Sequence, residues 1–308
     1  MEPNLTINPI QAIADSGQAA ALAVISGIEG PSYRPLGAFM AVFANGRIEG
    51  NLSSGCIEAD IATHAIEAMA DGKPREIRYG RGSRFIDIKL PCGGGLDILI
   101  VPHPDRAVLR EICQRHAERT PCLLGIDTQT GRISAEIGGE TGRRDTAFHV
   151  RIAPEVRFVI FGKGPEAHVF ASIVQSIGFP NTLCSPDMET LGIARQSGCA
   201  TRHLVSREFP ADLAIDDRTA ITLFFHDHDW EPPLLGHALA SPAFYVGAQG
   251  SRRTAHNRAE ALREMGTDAQ LLERLRGPIG LIPSTRDARM LAVSVLAEIL
   301  TEAAAETA

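Results

Sequence analysis

The run VRFVIFGKGPEAHVFASIVQSIGF, Val156 to Phe179, constrains this chain more than any other. A strongly apolar stretch meets a G-x-G turn and continues with helical spacing. That is the order of a buried strand, a glycine turn and a helix in a parallel sheet. Gly162 permits the tight turn, and Gly164 lets the backbone approach a phosphate at the helix N-terminus. Ala167 takes the third small position, and Pro165 suits the first helical turn. Asp187, 25 residues beyond Gly162, is placed to meet a ribose hydroxyl. The plain alternative is a strand–helix turn that uses two glycines and holds no nucleotide.

The rest of the second half extends this pattern. NTLCSPD reads as a second strand with an acid after it, and ITLFF and AFYVGA read as further buried strands. A long helix is expected from Asp287 to Glu302. The first half reads differently. A helix with Ile10 and Ile13 on one side runs into AALAVISG, and AFMAVF and RIEGNL form a hairpin across an Asn-Gly turn. Glu58 to Ala70 has helical spacing, with Ile61, Ala62, Ala65, Ile66 and Met69 on one side. REIRYG, FIDIKL and DILIVP are strands, and a helix at 105–119 precedes CLLGIDT, RISAEI and FHVRIA. GGETGRRD between the last two is an exposed loop. The expected fold class is α/β: a mixed α+β domain over residues 1–153, then a Rossmann-like parallel-sheet domain over residues 154–308.

Two cysteine–glycine stretches in the first half invite chemistry. NLSSGCIEAD leads into a helix expected to begin near Cys56, whose thiolate the helix field would favour. The amides of Ser54 to Ile57 offer an anion nest, and Glu58 in the first turn either stabilises that helix end or serves as an acid. LPCGGGLDILIVP places Cys92 against Gly93 and Gly94 just before a strand. The competing reading makes Cys56 a small buried hydrophobe and LPCGGG a turn. Together the two loops suggest a pocket for an anionic, sulfur-bearing ligand. In the second half, GAQGSRR presents Arg252 and Arg253 either as paired donors to a phosphate or as a solvated helix face. His226 and His228 in HDHDWE are read as lining a crevice at the sheet's carboxyl end, not as a metal site. No catalytic base stands out.

Composition narrows the class. A net charge of −7 with acids and bases intermixed argues against a nucleic-acid binder. No apolar run is long enough to span a bilayer, and MEPNLTINPIQ lacks the features of a signal peptide, so a cytoplasmic location is expected. The six cysteines contain no C-x-x-C pair, which leaves a structural zinc site without support and reduced thiols as the expectation.

Taken together, GPSYRPLGAFMAV, SSGCIEADI, PCGGGLDILI, FGKGPEAH, FHDHDWE, YVGAQGSRR and GPIGLIPSTRDARMLAVSVLAEIL resemble the XdhC/CoxI family. These are accessory proteins of molybdenum hydroxylases, and the matching pieces span most of the chain. The resemblance implies a chaperone that binds molybdenum cofactor, as molybdopterin or its dinucleotide form. It further implies that the chaperone protects this cargo during sulfuration and delivers it to an apo-hydroxylase of the xanthine dehydrogenase type. A cysteine desulfurase is a further candidate partner, and a homodimer is the default assembly. The family's plainer G-A-G-H turn is GKGPEAH here, and its PIGL-D-I-G is PIGLIPSTRD. An NAD(P)-dependent oxidoreductase built on the glycine turn and Asp187 is one competing function, and a structural assembly factor that docks on the hydroxylase through an acidic surface without binding cofactor is the other.

Overall fold

The structure, a computed structural model, describes residues 7–83, 93–226 and 229–305. The chain divides into two compact units, with the boundary between Pro154 and Glu155.

In the first unit, helix α1 (Ile7–Asp15) precedes strands β1 (Ala20–Glu29), β2 (Phe39–Phe43) and β3 (Ile48–Gly50). Helix α2 (Glu58–Asp71), β4 (Arg75–Gly80) and β5 (Gly95–Pro102) follow. Helix α3 (Arg106–Ala117) then leads to β6 (Cys122–Asp127), β7 (Ile133–Glu136), β8 (Gly142–Arg144) and β9 (Ala147–Ile152). The first five strands form an antiparallel sheet in the order β3-β2-β1-β5-β4, and the last four form a second in the order β7-β6-β9-β8. Strand β1 is almost entirely apolar because both of its faces are covered. Leu22 and Val24 pack with α1, α3 and the second sheet, while Ala21, Ala23 and Ile25 pack under α2. Two expectations are corrected. Ile66 points outward at 42% exposure, because Ile61, Ala62, Ala65 and Ala68 already fill the buried stripe of α2. The GGETGRRD segment contains strand β8, registered on β9, since an exposed edge can satisfy its inner backbone groups through a neighbouring strand. FIDIKL lies outside the described residues.

The second unit alternates strand and helix. It runs through β10 (Arg157–Gly162), α4 (Pro165–Ser176), β11 (Asn181–Ser185), α5 (Met188–Gln196), β12 (Ala200–His203) and β13 (Thr219–Phe224). It continues with α6 (Glu231–Ala240), β14 (Tyr245–Ala248), α7 (Arg252–Glu264), α8 (Ala269–Glu273), β15 (Leu275–Arg276) and α9 (Ala288–Ala305). All pairings are parallel, in the order β12-β11-β10-β13-β14-β15. Strand order reverses between β10 and β13, the switch point where open α/β sheets form a crevice. Phe158 and Ile160 bury toward α4, α5 and α9, while Val159 and Phe161 bury on the opposite face with Leu234, Leu235 and Leu262 of α6 and α7. That two-sided burial is why these strands read as unbroken apolar runs. Among the described residues no helix is long and apolar enough to cross a membrane.

Candidate functional site

In the first unit one end of the five-stranded sheet gathers the ends of β1, β3 and β4 with the starts of β2 and β5. The segment after Gly50 is wound around the Glu58 carboxylate. Its Oε1 accepts from the amides of Leu52 (3.1 Å) and Ser53 (2.7 Å), and its Oε2 accepts from the Ile57 amide (3.2 Å). The Ser53 hydroxyl lies 2.9 and 2.8 Å from the two carboxylate oxygens and 3.4 Å from Cys56 Sγ, and it accepts from the Gly55 amide (3.2 Å). Burial pushes the Glu58 carboxyl up, but the Ser53 hydroxyl and the converging amides outweigh it and hold the group below the usual value of 4.5. The helix therefore starts at Glu58, not Cys56, and two of the amides expected to form an open anion nest already have partners. Cys56 sits exposed on this braced turn, which corrects the reading of a small buried hydrophobe.

The neighbouring glycine loop meets the same end of the sheet. A Cβ on Gly94 would run into the Pro31 carbonyl oxygen, so this glycine serves a close approach of two backbones. Its carbonyl accepts from the Arg81 amide at 3.0 Å. Gly93 has φ of +72° with open space beside it. Cys92 lies outside the described residues. Arg34 ties the loop after β1 to the segment after β3 by donating from Nε to Asn51 Oδ1 at 2.6 Å.

In the second unit the carboxyl ends of the strands carry two cavities of about 400 Å³ each, on either side of Phe225 and His226. The first is lined by Lys163, Gly164, Pro186, Asp187, Phe225, His226 and Trp230. Phe225 and Trp230 stack there at 6.0 Å and 12°. Gly162 lets β10 and α4 close on β13, since a Cβ would lie 2.7 Å from the Phe224 carbonyl oxygen and 2.8 Å from Ala167 Cβ. The turn amides, however, point inward: Lys163 N–H donates to Phe224 O (3.1 Å) and Gly164 N–H to Thr190 Oγ1 (2.9 Å). Asp187 caps α5, accepting from Thr190 N (2.8 Å) and Thr190 Oγ1 (2.5 Å). Those two bonds, more than the nearby Lys163 charge, hold its carboxyl below the usual value of 3.8.

The second cavity lies between the starts of α4 and α7 and the segment before α9. Glu166 and His226 share its wall with Gln249, Gly250, Ser251 and Thr254, and Ser284, Thr285, Arg286 and Asp287 close it. His226 Nε2 lies 3.4 Å from Glu166 Oε2, and His228 lies outside the described residues. Arg252 and Arg253 are exposed in the first turn of α7, and Arg253 borders the cavity between α6 and α7. Beneath that cavity Arg258 forms a fully buried pair with Glu231 (both bonds 3.0 Å) and also donates to the Gln249 carbonyl (2.7 Å). The sequence reading missed Glu166, Gln249, Arg286 and the Glu231–Arg258 pair. Arg286 sits within the divergent PIGLIPSTRD segment and Gln249 within GAQGSRR, so both had a signal; Arg258 carries none, since only packing makes it distinctive.

Comparison with known proteins agrees with this architecture. Residues 13–80 match the XdhC and CoxI family, and residues 158–299 match the XdhC Rossmann domain. The chain is 36% identical to the molybdenum cofactor insertion chaperone PaoD of Escherichia coli, over 92% of this chain and 83% of that protein. It is 24% identical to a probable xanthine dehydrogenase subunit from Bacillus subtilis, over 94% of this chain and 95% of that protein. A solved structure described as a xanthine dehydrogenase from Bacillus halodurans shares the fold, with a TM-score of 0.76, 19% identity, and coverage of 97% of this chain and 96% of that one. The paired units, the parallel sheet in its reversed order and these matches place the chain in the XdhC and CoxI family.

Proposed function

We propose that this protein binds molybdenum cofactor, covers it while it is sulfurated, and hands it to an apo-hydroxylase of the xanthine dehydrogenase type. Its relative PaoD is named as a chaperone for insertion of that cofactor, and the likeness extends over nearly the whole chain. The observation that carries the reading is the exposed Cys56 thiol, fixed on a turn that the Glu58 carboxylate braces from within. Molybdenum and its sulfur ligands are soft partners for a thiolate. A turn already satisfied internally presents that thiol without the entropic cost of ordering a loop. Cys92, Gly93 and Gly94 remain part of this proposal. The oxidoreductase alternative is weakened, because the amides of the glycine turn and the Asp187 carboxylate that it needs are engaged within the chain.

The test is anaerobic uptake of molybdenum cofactor by the wild type and by Cys56→Ala, read as pterin and molybdenum co-eluting with the protein. Near-stoichiometric uptake that falls in the variant is expected. A wild type that takes up no cofactor overturns the reading, and NADH binding by the same protein would then favour the alternative.

A further inference from the structure

We infer that the second unit grips phosphate at the turn between β14 and α7, and not at the glycine turn after β10. The ligand class is a phosphate monoester or pyrophosphate; for the remainder of the ligand the inference rests on the cargo proposed above.

The glycine turn has little left to offer an anion. Two of its amides are bonded to Phe224 O and Thr190 Oγ1, and Pro165 has no N–H. The β14–α7 turn is the reverse. The 13-residue α7 has no acid in its first turn, and the amides of Gly250, Ser251, Arg252 and Arg253 have no partner among the described residues. The Ser251 hydroxyl is held by Thr254, accepting from its amide at 3.1 Å and lying 3.0 Å from its Oγ1. Gly250 and Ser251, at the start of this turn, line the cavity together with Thr254.

A second observation points to a ligand there. Gln249 is only 7% exposed, its side-chain amide makes no hydrogen bond among the described residues, and it lines the same cavity. Thr285 Oγ1, also on the wall, is buried without a partner among the described residues. Arg286 adds a cation. Two carboxylates share the wall: Glu166 Oε2 lies 3.4 Å from His226 Nε2, and Asp287 is held by Arg289 (2.7 Å) and the Arg289 amide (2.8 Å).

Inorganic pyrophosphate titrated into the full chain by calorimetry tests the subsite apart from the cargo. The wild type should bind it. Gln249→Leu and Arg286→Ala should each weaken binding by about tenfold, and Lys163→Ala by less than about twofold. Arg286 is exposed, so its variant keeps the test meaningful if Gln249→Leu fails to fold. Absence of pyrophosphate binding by the wild type overturns the inference. So does loss of binding in Lys163→Ala with retention in Arg286→Ala. Pyrophosphate binding by a protein that takes up no molybdenum cofactor would support the subsite while overturning the proposed cargo.

Discussion

At Glu58 one carboxylate does the work expected of a ligand. It collects the amides of Leu52, Ser53 and Ile57 and, through the Ser53 hydroxyl, steadies the turn that bears Cys56. Glu58→Ala would leave buried amides unpaired, so it should destabilise the first unit by about 1–3 kcal/mol at neutral pH. The folded-state pKa lies below the ordinary 4.5, so this stabilisation is present above that value and is lost as pH falls through the folded pKa. Urea denaturation should therefore show a gap between wild type and variant that closes under acid conditions. A gap independent of pH would remove the carboxylate from this role. The other described cysteines contrast with Cys56. Burial pushes Cys113 up to about 11 and Cys184 up to about 12, so neither is a ready thiolate.

Between elements, the Glu231–Arg258 pair has the largest consequence. Both side chains are almost wholly buried, at 1% and 2% exposure, and they clamp the start of α6 to α7 and to the Gln249 carbonyl. Removing one partner strands a buried charge, so Arg258→Met alone should cost about 3–5 kcal/mol. Arg258→Met combined with Glu231→Leu should recover much of that loss, because an apolar pair leaves no charge to compensate. Thermal melts of the two single variants and the double variant measure the coupling. Additive losses would show that the pair is not a unit. Since Gln249 opens the turn proposed to hold phosphate, the clamp also fixes the position of that turn.

For the whole molecule, each compact unit carries cores of its own, formed by residues from that unit alone. Residues 1–154 and 155–308 produced separately should therefore each show a cooperative thermal transition. If neither piece melts cooperatively, the independent-unit reading fails. Much of this organisation was legible in the sequence. Predominantly apolar runs such as FVIF and ITLFF, with Gly162 before a helix-spaced segment, specify a parallel sheet because such strands must be buried on both faces. The Asn-Gly hairpin and the Glu58 helix follow from turn chemistry and periodicity, which act over a few residues. Short edge strands such as β8, β12 and β15 bury too little to leave a pattern, so their pairing had to come from neighbours. The candidate sites divide in the same way. The sequence by itself determined which residues with anion-binding and thiol chemistry are available. Only the tertiary structure decided which of their hydrogen bonds are already made: Glu58 fills its own nest, Thr190 takes the Gly164 amide, and Gln249 is left unpaired in a cavity. Hydrogen-bond partners far apart in sequence settle that question, and no local pattern records them.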